Sequence, residues 1–350
     1  MTVALYHPEC GYYGRGPVRI GRSGDFFTAV SVGPLYGRLL ANWVEKTWQA
    51  LGRPGDFTII EQGAHDGQLM EDVARGLEMM NSPLSATARF CIVEANDKYR
   101  TAQAARLTPV LGARVAWAPD LAALREAPRH AFFMTNELLD AFPVHRVRWT
   151  GSEWVERVVA LSDDGGSFVW SDAPLSCSSV KNETDRLPRD LAPDYTTEVH
   201  PAALDWVRQI GCTAFQGAVL VSDYGLDQSE YYSPERTDGT LRRYWNHKTD
   251  GDVLQNLGES DLTAHVNFTR LIEEAESSGF EKLAYSDQGR LLTRLAAAWL
   301  RSLEGAAPSR DTAALLRQFQ TLTHPGHMGL KFRMCLLGRG IAAASVLGPE

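Results

Sequence analysis

The sequence predicts an α/β fold with a mostly parallel sheet, and two observations lead to this prediction. Four short apolar runs are unbroken, and each is closed by polar or acidic residues: 57–60, 90–93, 131–134 and 218–221. Stretches with helical spacing separate these runs, which is typical of parallel strands covered by helices on both faces. Because ligands bind beyond the carboxyl ends of parallel strands, we expect the functional site at that edge of the sheet.

Hydrophobic spacing predicts the elements of the first half of the chain in order. Apolar residues recur at helical spacing between Gly33 and Leu51, which predicts an amphipathic helix before the first strand. A glycine-bearing turn follows the strand at 57–60, and apolar residues from Leu69 to Leu77 predict a second helix.

The second half of the chain begins with a different pattern. Strand-like runs alternate with turn signals between Val144 and Asp172, which predicts an antiparallel insertion. We expect the polar stretch from Ser171 to Pro188 to form a surface loop. Later spacing predicts three helices and one strand: helices at 201–210, 262–277 and 288–303, and a strand at 332–337.

The composition excludes several classes of protein. The chain has 350 residues, of which 44% are hydrophobic, so it can bury a sizeable core. Its 35 Lys and Arg are outnumbered by 43 Asp and Glu, so binding to duplex DNA is disfavoured. No apolar stretch approaches the ~18 residues of a membrane span, and we see no signal-peptide pattern. The five scattered cysteines indicate free thiols in a reducing compartment, so we expect a soluble cytoplasmic protein.

A glycine-bearing turn after the first strand is the strongest local signal for a ligand site. Gly63 and Gly67 let the backbone turn tightly, so that a nucleotide-like ligand can approach the amides of the next helix. Glu94 ends the next strand, where nucleotide-binding folds place an acid that accepts hydrogen bonds from ribose hydroxyls. Gln68 and Leu69 do not supply the further glycine of the dinucleotide fingerprint, which favours S-adenosylmethionine (SAM) over NAD. The alternative is a glycine turn with a solvated acid.

Seven motifs in a fixed order then identify a family. They are 4–13 (ALYHPECGYY), 24–28 (GDFFT), 61–67 (EQGAHDG) with 92–94 (IVE), 136–144 (NELLDAFPV), 222–225 (SDYG) with His247, 261–268 (DLTAHVNF) and 325–329 (PGHMG). In these motifs, over nearly its whole length, the chain resembles the MidA family of SAM-dependent methyltransferases. The mitochondrial relatives in that family are complex I assembly factors that methylate a protein arginine.

The resemblance implies the class I SAM-methyltransferase fold, with a seven-stranded mostly parallel sheet and helices on both faces. An antiparallel β insertion would follow the fourth strand, and a cap segment would precede the sheet. The expected segments are 1–50 (cap segment and helix), 51–143 (SAM-binding half), 144–200 (inserted β element and loop) and 201–350 (the half that completes the sheet).

The resemblance also implies which residues hold the cofactor, S-adenosyl-L-methionine. They are Glu61, Gly63, Gly67 and Glu94 around the loop, Asp25 and Thr28 closing over it, and Asp120 and Leu121 at the adenine. The chain departs from the family pattern at two places. His65 stands where the family usually has another glycine, and Val30 and Ser31 stand where the family has Pro and Glu.

Polar residues after the run 131–134 are the catalytic candidates. A guanidinium nucleophile needs carboxylates that hold it and one that helps to remove a proton. Glu137 and Asp140 are three residues apart and would project to one side if a helical turn followed, while Asn136 would orient the substrate or the cofactor. Asp223 and Tyr224 end another strand and could approach the same space. The alternative is a solvated helix start, where acids are favoured.

Histidines provide the remaining candidates. His265 is expected just inside a helix that Asp261 or Thr263 caps, and either is buried and satisfied or lines the substrate pocket with His247. His324 and His327 are close in sequence without a further ligand motif, so we expect no metal.

Three functions remain open. The first is a methyltransferase that acts on a protein arginine, and the second methylates a small molecule on N, O or C. The third is a SAM-binding assembly factor with little turnover. We expect a protein or small-molecule methyl acceptor as the partner, no nucleic acid, no membrane, and a possible homodimer.

Overall fold

The chain folds into two compact units. The computed structural model describes residues 1–18, 21, 27–126, 128–245, 248–305, 307 and 309–347. The sheet unit consists of Arg19–Leu138, Arg208–Tyr224 and Ala275–Glu350. The insertion unit consists of Met1–Val18, Leu139–Val207 and Gly225–Glu274.

Strands and helices alternate along much of the described chain. The strands are β1 (Phe57–Gln62), β2 (Arg89–Val93), β3 (Val115–Ala118), β4 (His130–Asn136), β5 (His145–Trp149), β6 (Trp154–Leu161), β7 (Phe168–Ala173), β8 (Thr196–Val199), β9 (Gln216–Leu226), β10 (Arg242–Trp245), β11 (Lys248–Asp250), β12 (Asp261–Thr263), β13 (Val266–Asn267), β14 (Glu281–Asp287) and β15 (Phe332–Arg339). The helices are α1 (Thr2–Tyr6), α2 (Leu35–Ala50), α3 (Gln68–Met79), α4 (Leu84–Thr87), α5 (Asp97–Leu111), α6 (Ser178–Thr184), α7 (Pro201–Gly211), α8 (Gln228–Tyr231), α9 (Phe268–Ser277), α10 (Gln288–Ser302), α11 (Arg310–Thr323) and α12 (Ala343–Leu347). In the part of the chain that the structure describes, no helix is long and apolar enough to cross a membrane.

The central sheet confirms the predicted fold class. Its strand order is β3-β2-β1-β4-β9-β15-β14, with parallel pairing from β3 to β9 and antiparallel pairing of β15 and β14. Ile59 of β1 lies opposite Phe132 of β4, and side chains on both faces of these strands are buried. Burial on both faces explains why the strands read as unbroken apolar runs.

Helices α2 and α3 cross at a very short distance. The apolar stripe of α2, which includes Leu39, Leu40 and Trp43, is buried in the core of the sheet unit. A Cβ atom at Gly76 of α3 would lie 2.7 Å from the Cβ of Ala41. The absence of a side chain at Gly76 therefore lets the two helix backbones approach.

The insertion after the fourth strand is antiparallel, as predicted. Strands β7-β6-β5-β8 form this sheet. A second antiparallel sheet, β11-β10-β12, comes later in the chain, after β9. The prediction of a surface loop at 171–188 was wrong, because β7 runs to Ala173 and Ser178–Thr184 forms α6. Val180 of that helix is fully buried with Trp149 and Trp154 in the core of the insertion unit, so apolar contact orders this polar stretch.

The predicted helix at 262–277 begins later than its spacing suggests. Asp261–Thr263 forms β12, in which Thr263 pairs with Arg242 of β10, so sheet hydrogen bonds override the local helical pattern. The helix begins at Phe268, and the Oδ1 atom of Asn267 accepts a hydrogen bond from the Arg270 N–H at 3.1 Å. Asn267 is therefore the N-cap, and Asp261 and Thr263 are not.

Candidate functional site

The parallel strands of the sheet unit end at one edge, where most of the predicted site residues lie. They are Glu61 and Gly63 at the end of β1, Glu94 after β2, Asp120 and Leu121 after β3, Asn136 and Glu137 at the end of β4, and Asp223 and Tyr224 in β9. The sequence predicted this grouping because it follows from where each strand stops.

The turn between β1 and α3 uses left-handed backbone conformations at three positions. The φ angles are +80° at Gly63, +46° at His65 and +87° at Gly67. A Cβ atom at Gly63 would lie 3.1 Å from Leu138, and one at Gly67 would lie 3.0 Å from Leu107. His65 thus occupies a conformation that favours glycine, which is the residue that the family usually has there.

An ion-pair cluster connects this turn to α5. Arg106 of α5 lies 2.6 Å from a carboxylate oxygen of Asp66 and 3.1 Å from one of Glu71. Burial opposes the ionisation of Asp66, but the nearby His65 side chain and the hydrogen bond from Arg106 outweigh it and lower the pKa of Asp66 to about 2. Asp66 therefore remains charged and fixes the turn against α5. The sequence analysis did not identify Arg106.

Glu61 lies inside the protein rather than at its surface. Its side chain is 3% exposed, and its Oε2 atom has no hydrogen-bond partner among the described residues. Burial, followed by repulsion from Asp66, raises the pKa of Glu61 to about 8, although the Met70 N–H opposes this shift. Glu61 is therefore a mostly neutral acid at pH 7, and it accepts a hydrogen bond from the first turn of α3.

Glu94 follows β2 with its carboxylate held on both oxygens. Oε1 accepts a hydrogen bond from the Asn96 N–H at 2.8 Å, and Oε2 accepts one from the Gln103 amide at 3.4 Å. Burial raises the pKa of Glu94, and these two donors oppose that shift. The sequence analysis did not identify Gln103. The sequence did contain a signal for Gln103. Tyr99, Leu107 and Leu111 lie on the buried face of α5, and Gln103 occupies the remaining position of this series, in which the residues are four apart.

The residues after β3 form a capped turn. The exposed Asp120 accepts a hydrogen bond from the Ala123 N–H at 3.0 Å, which caps the short 3-10 turn Leu121–Leu124. The Leu121 side chain is buried. Asp120 therefore presents a fixed carboxylate at the edge where an adenine amine is expected.

Glu137 is held in a strained turn after β4. Its φ angle is +52°, and no helical turn follows it, so the condition for Glu137 and Asp140 to project to one side is not met. Its Oε1 atom accepts hydrogen bonds from the Ala29 N–H at 3.3 Å and from the Asn136 amide at 3.0 Å. Its own N–H donates to the Ser222 carbonyl at 2.9 Å. These contacts fix the carboxylate at the strand ends.

Asp223 braces the same turn from the neighbouring strand. It is fully buried, and its two carboxylate oxygens accept hydrogen bonds from the Leu138 N–H at 3.2 Å and the Tyr224 N–H at 2.8 Å. The Tyr224 ring packs on Phe332 with ring centroids 4.1 Å apart. The structure therefore brings Glu137 and Asp223 together through the backbone of the turn.

Thr28 lies in a closed turn beside Glu137. The Thr28 hydroxyl accepts a hydrogen bond from the Ser31 N–H at 3.1 Å, and the Ser31 hydroxyl accepts one from the Thr28 N–H at 2.9 Å. Gln68 donates a further hydrogen bond to the Val30 carbonyl at 3.3 Å. Ser31 therefore stabilises this turn where the family residue is a glutamate.

Two predicted residues belong to the insertion unit. Asp140 is buried, and its backbone carbonyl accepts a hydrogen bond from the Ala264 N–H at 2.9 Å. His265 connects β12 and β13 and is not in a helix, and its N–H donates to the Thr240 hydroxyl at 3.0 Å. Burial, followed by the charges of Arg236 and Arg242, lowers the pKa of His265 to about 4.

Asp25 and His247 fall outside the described residues. His324 accepts a hydrogen bond from the Gly326 N–H at 3.1 Å, and its ring lies 5.3 Å from that of His327. Within the described ranges, no group of three or more His, Cys, Asp or Glu could hold a metal ion.

The residues at the sheet edge fit SAM by their hydrogen-bonding chemistry. SAM presents a ribose diol, an adenine amine and a cationic sulfonium. Glu94 is a partly buried acceptor that suits the diol, and the exposed carboxylate of Asp120 suits the amine. The acids at the strand ends also favour a cationic ligand.

Comparison with known proteins supports the same cofactor. Residues 39–286 match the family described as "Putative S-adenosyl-L-methionine-dependent methyltransferase". The Drosophila melanogaster "Protein arginine methyltransferase NDUFAF7 homolog, mitochondrial" is 28% identical over 372 residues, which cover 98% of this chain and 81% of that protein. The Caenorhabditis elegans protein of the same name is 28% identical over 371 residues, with 95% and 82% coverage.

A solved structure is similar over the whole chain. It is a Burkholderia thailandensis protein bound to S-adenosyl-homocysteine, with 31% identity and a TM-score of 0.85, covering 99% of this chain and 88% of that one. The match to the family model spans well over half of the chain. The chain therefore belongs to this family of SAM-dependent methyltransferases, the MidA-like family that its motifs resemble.

Proposed function

We propose that the protein transfers the methyl group of SAM to a guanidinium nitrogen of a protein arginine. The observation that carries this proposal is the carboxylate of Glu137, which is fixed at the strand ends by the Ala29 N–H and the Asn136 amide. Both curated relatives described above bear the name of a protein arginine methyltransferase. A fixed carboxylate pairs with a guanidinium through charge-assisted hydrogen bonds.

The mechanism assigns one role to each group at this edge. Bound SAM would supply a methyl group that its sulfonium already activates, and cleavage of the S–CH3 bond would leave S-adenosyl-homocysteine, so the protein mainly has to position the nucleophile and exclude water. Glu137 holds the guanidinium and accepts the proton that the methylated nitrogen loses. Asn136 and the Ala29 N–H keep the carboxylate in place, and the buried Asp223 braces the turn that presents it.

Cofactor binding is assigned to the other strand ends. Glu94 would accept hydrogen bonds from the ribose hydroxyls, and Asp120 with the Leu121 backbone would contact the adenine. The turn from Gly63 to Gly67 would help to hold the cofactor, and Glu61 and Thr28 are the further residues that we assign to it. Asp140, Tyr224, His247 and His265 remain sequence-based candidates for contacts with the substrate, and Asp25 remains one for the cofactor.

A small-molecule acceptor is the second candidate, and one observation favours it. At Ser31 the family has a glutamate, whereas here the Ser31 hydroxyl is engaged in hydrogen bonds with Thr28. One carboxylate that could help to bind a cationic peptide is therefore replaced by a neutral side chain. A SAM-binding assembly factor with little turnover is the third candidate.

A labelling experiment distinguishes these functions. The protein is incubated with methyl-labelled SAM and cell extract, and labelled protein bands are hydrolysed and analysed for methylarginine. Labelled methylarginine supports the proposal, label in the small-molecule fraction supports the second candidate, and SAM binding without transfer supports the third.

Substitution of Glu137 tests the mechanism directly. We expect Glu137→Gln to lower transfer at least 100-fold, because proton acceptance by a general base typically contributes about 10²–10⁴-fold. Calorimetry should show nearly unchanged affinity for SAM. Glu78→Gln, an exposed change on α3, is the matched control and should transfer methyl groups at the normal rate. Undiminished turnover in Glu137→Gln would remove Glu137 from the mechanism.

Two further proposals concern the location and the assembly of the protein. The cytoplasmic location is proposed because all five cysteines are free thiols. Homodimer formation is proposed only from the sequence, and light scattering in solution tests it.

A further inference from the structure

Gln103 is a buried amide that joins three elements of the sheet unit. It is fully buried on α5, and its Nε2 group donates to the His65 carbonyl at 3.0 Å and to the Glu94 carboxylate at 3.4 Å. Its Oε1 atom accepts a hydrogen bond from the Trp117 indole N–H at 2.9 Å. One side chain therefore links the turn after β1, the acid after β2 and strand β3.

Glutamine suits this position because its side-chain amide has two N–H donors and one oxygen acceptor. A glutamate at this position would keep the acceptor for Trp117, lose both donors and place a second carboxylate beside Glu94. A leucine would fill a similar volume but would leave the Glu94 oxygen and the His65 carbonyl without these donors. Burying an amide is costly unless it is hydrogen-bonded, so its presence on an apolar helix face needs a reason.

We propose that Gln103 is a positioning residue that orients the Glu94 carboxylate toward the ribose hydroxyls of the cofactor. The inference rests on the proposed role of Glu94. The Asn96 N–H holds one oxygen of Glu94, and Gln103 holds the other, so rotation of the carboxylate is restricted from both sides. Gln103 also fixes the carbonyl of His65, so the acid and the glycine turn keep a constant separation.

The test separates positioning from a merely structural role. The affinities of S-adenosyl-homocysteine and of its 2′-deoxy analogue are measured by calorimetry for the intact protein and for Gln103→Leu. The ratio of the two affinities reports the interaction with the ribose hydroxyl. A structural defect would weaken both ligands equally and leave this ratio unchanged.

We expect Gln103→Leu to reduce the preference for the ribose hydroxyl about tenfold, which corresponds to about 1.4 kcal/mol. Gln103→Glu keeps the shape and the acceptor for Trp117, so it serves as the second variant if the leucine variant does not fold. Trp117→Phe is the control, because it removes one hydrogen bond of Gln103 and leaves both donors in place. This control should keep the full ribose preference.

Two results would overturn the inference. An unchanged ratio in both Gln103 variants would show that Gln103 has no positioning role. The same loss of ratio in Trp117→Phe would assign the effect to general packing. If the intact protein shows no preference between the two ligands, the assignment of Glu94 to the ribose fails, which is a separate result from failure of Gln103.

Discussion

The buried acid Glu61 should make the stability of this protein depend on pH. Its folded-state pKa is about 8, compared with an ordinary value of 4.5 in the unfolded chain. Between these two pH values the folded state binds more protons than the unfolded state. The stabilisation is therefore fully present below pH 4.5 and is lost as the pH rises toward and through 8.

The size of the effect follows from the shift. Each unit of pKa difference corresponds to about 1.4 kcal/mol, so the contribution of Glu61 should fall by about 5 kcal/mol across the whole window. At pH 7 about 3 kcal/mol should already be lost. Glu61→Gln mimics the neutral acid and removes this dependence. We expect it to have nearly the stability of the original protein at pH 4.5 and to be several kcal/mol more stable at pH 8.

Urea denaturation at a series of pH values measures this difference. Asp66 and Asp72 also have shifted pKa values, but they are present in both proteins, so the comparison isolates Glu61. Binding of S-adenosyl-homocysteine should persist in Glu61→Gln, because the neutral acid is already the main form at pH 7. A stability difference that does not change between pH 4.5 and pH 8 would refute the reasoning.

Two substitutions test the packing and the helix cap. Gly76→Ala should lower the free energy of unfolding by about 1–2 kcal/mol, because overpacking against Ala41 exceeds the gain of about 1 kcal/mol in helix propensity. The midpoints of urea denaturation measure this change. Glu78→Ala on the exposed face of α3 is the control and should have almost no effect. A Gly76→Ala protein that is more stable than the original would contradict the close contact between α2 and α3. Asn267→Ala should cost about 1 kcal/mol because the Arg270 N–H loses its acceptor. Asn267→Asp keeps an acceptor and should be close to the original protein, so equal losses in both variants would refute the cap.

Within the central sheet, the strands that the sequence predicted are largely buried on both faces. β1, β4 and β9 each contain a short run of mainly apolar residues, which is typical of a buried strand and not of a surface segment. β3 was missed because Ala116 is exposed and the strand has only four residues. β14 was missed because Leu283 is its only buried side chain, and pairing with β15 stabilises the rest of the strand.

Errors arose where distant partners outweigh local spacing. The segment 261–267 has helical spacing, yet β12 pairs with β10, which lies about twenty residues earlier in the chain. Pairing between segments so far apart in the sequence does not affect the local spacing of apolar residues, so that spacing could not predict it. For the same reason the Glu137–Asp140 spacing was informative only if a helix followed, and the left-handed conformation of Glu137 prevents this.

The sequence predicted the position of the candidate site better than it predicted the hydrogen bonds that hold its side chains in place. The acids of the site stand at strand ends, so periodicity alone located Glu94 and Glu137. Their hydrogen-bond donors come from other elements, namely Gln103 of α5 and the backbone of Ala29, and a single sequence does not show these pairings. A polar residue within an apolar helix face is the one local signal that pointed to such a donor.

His65 shows why a departure from a family pattern needs a structure to interpret it. A left-handed φ angle costs a non-glycine residue about 1 kcal/mol. The His65 side chain offsets part of this cost, because its Nδ1 atom lies 3.7 Å from the Asp66 carboxylate and its ring packs edge-on against Tyr99. The Gln103 amide also binds its carbonyl. These contacts hold histidine in a turn conformation that favours glycine, so the departure adds a side chain at the predicted cofactor edge of the sheet.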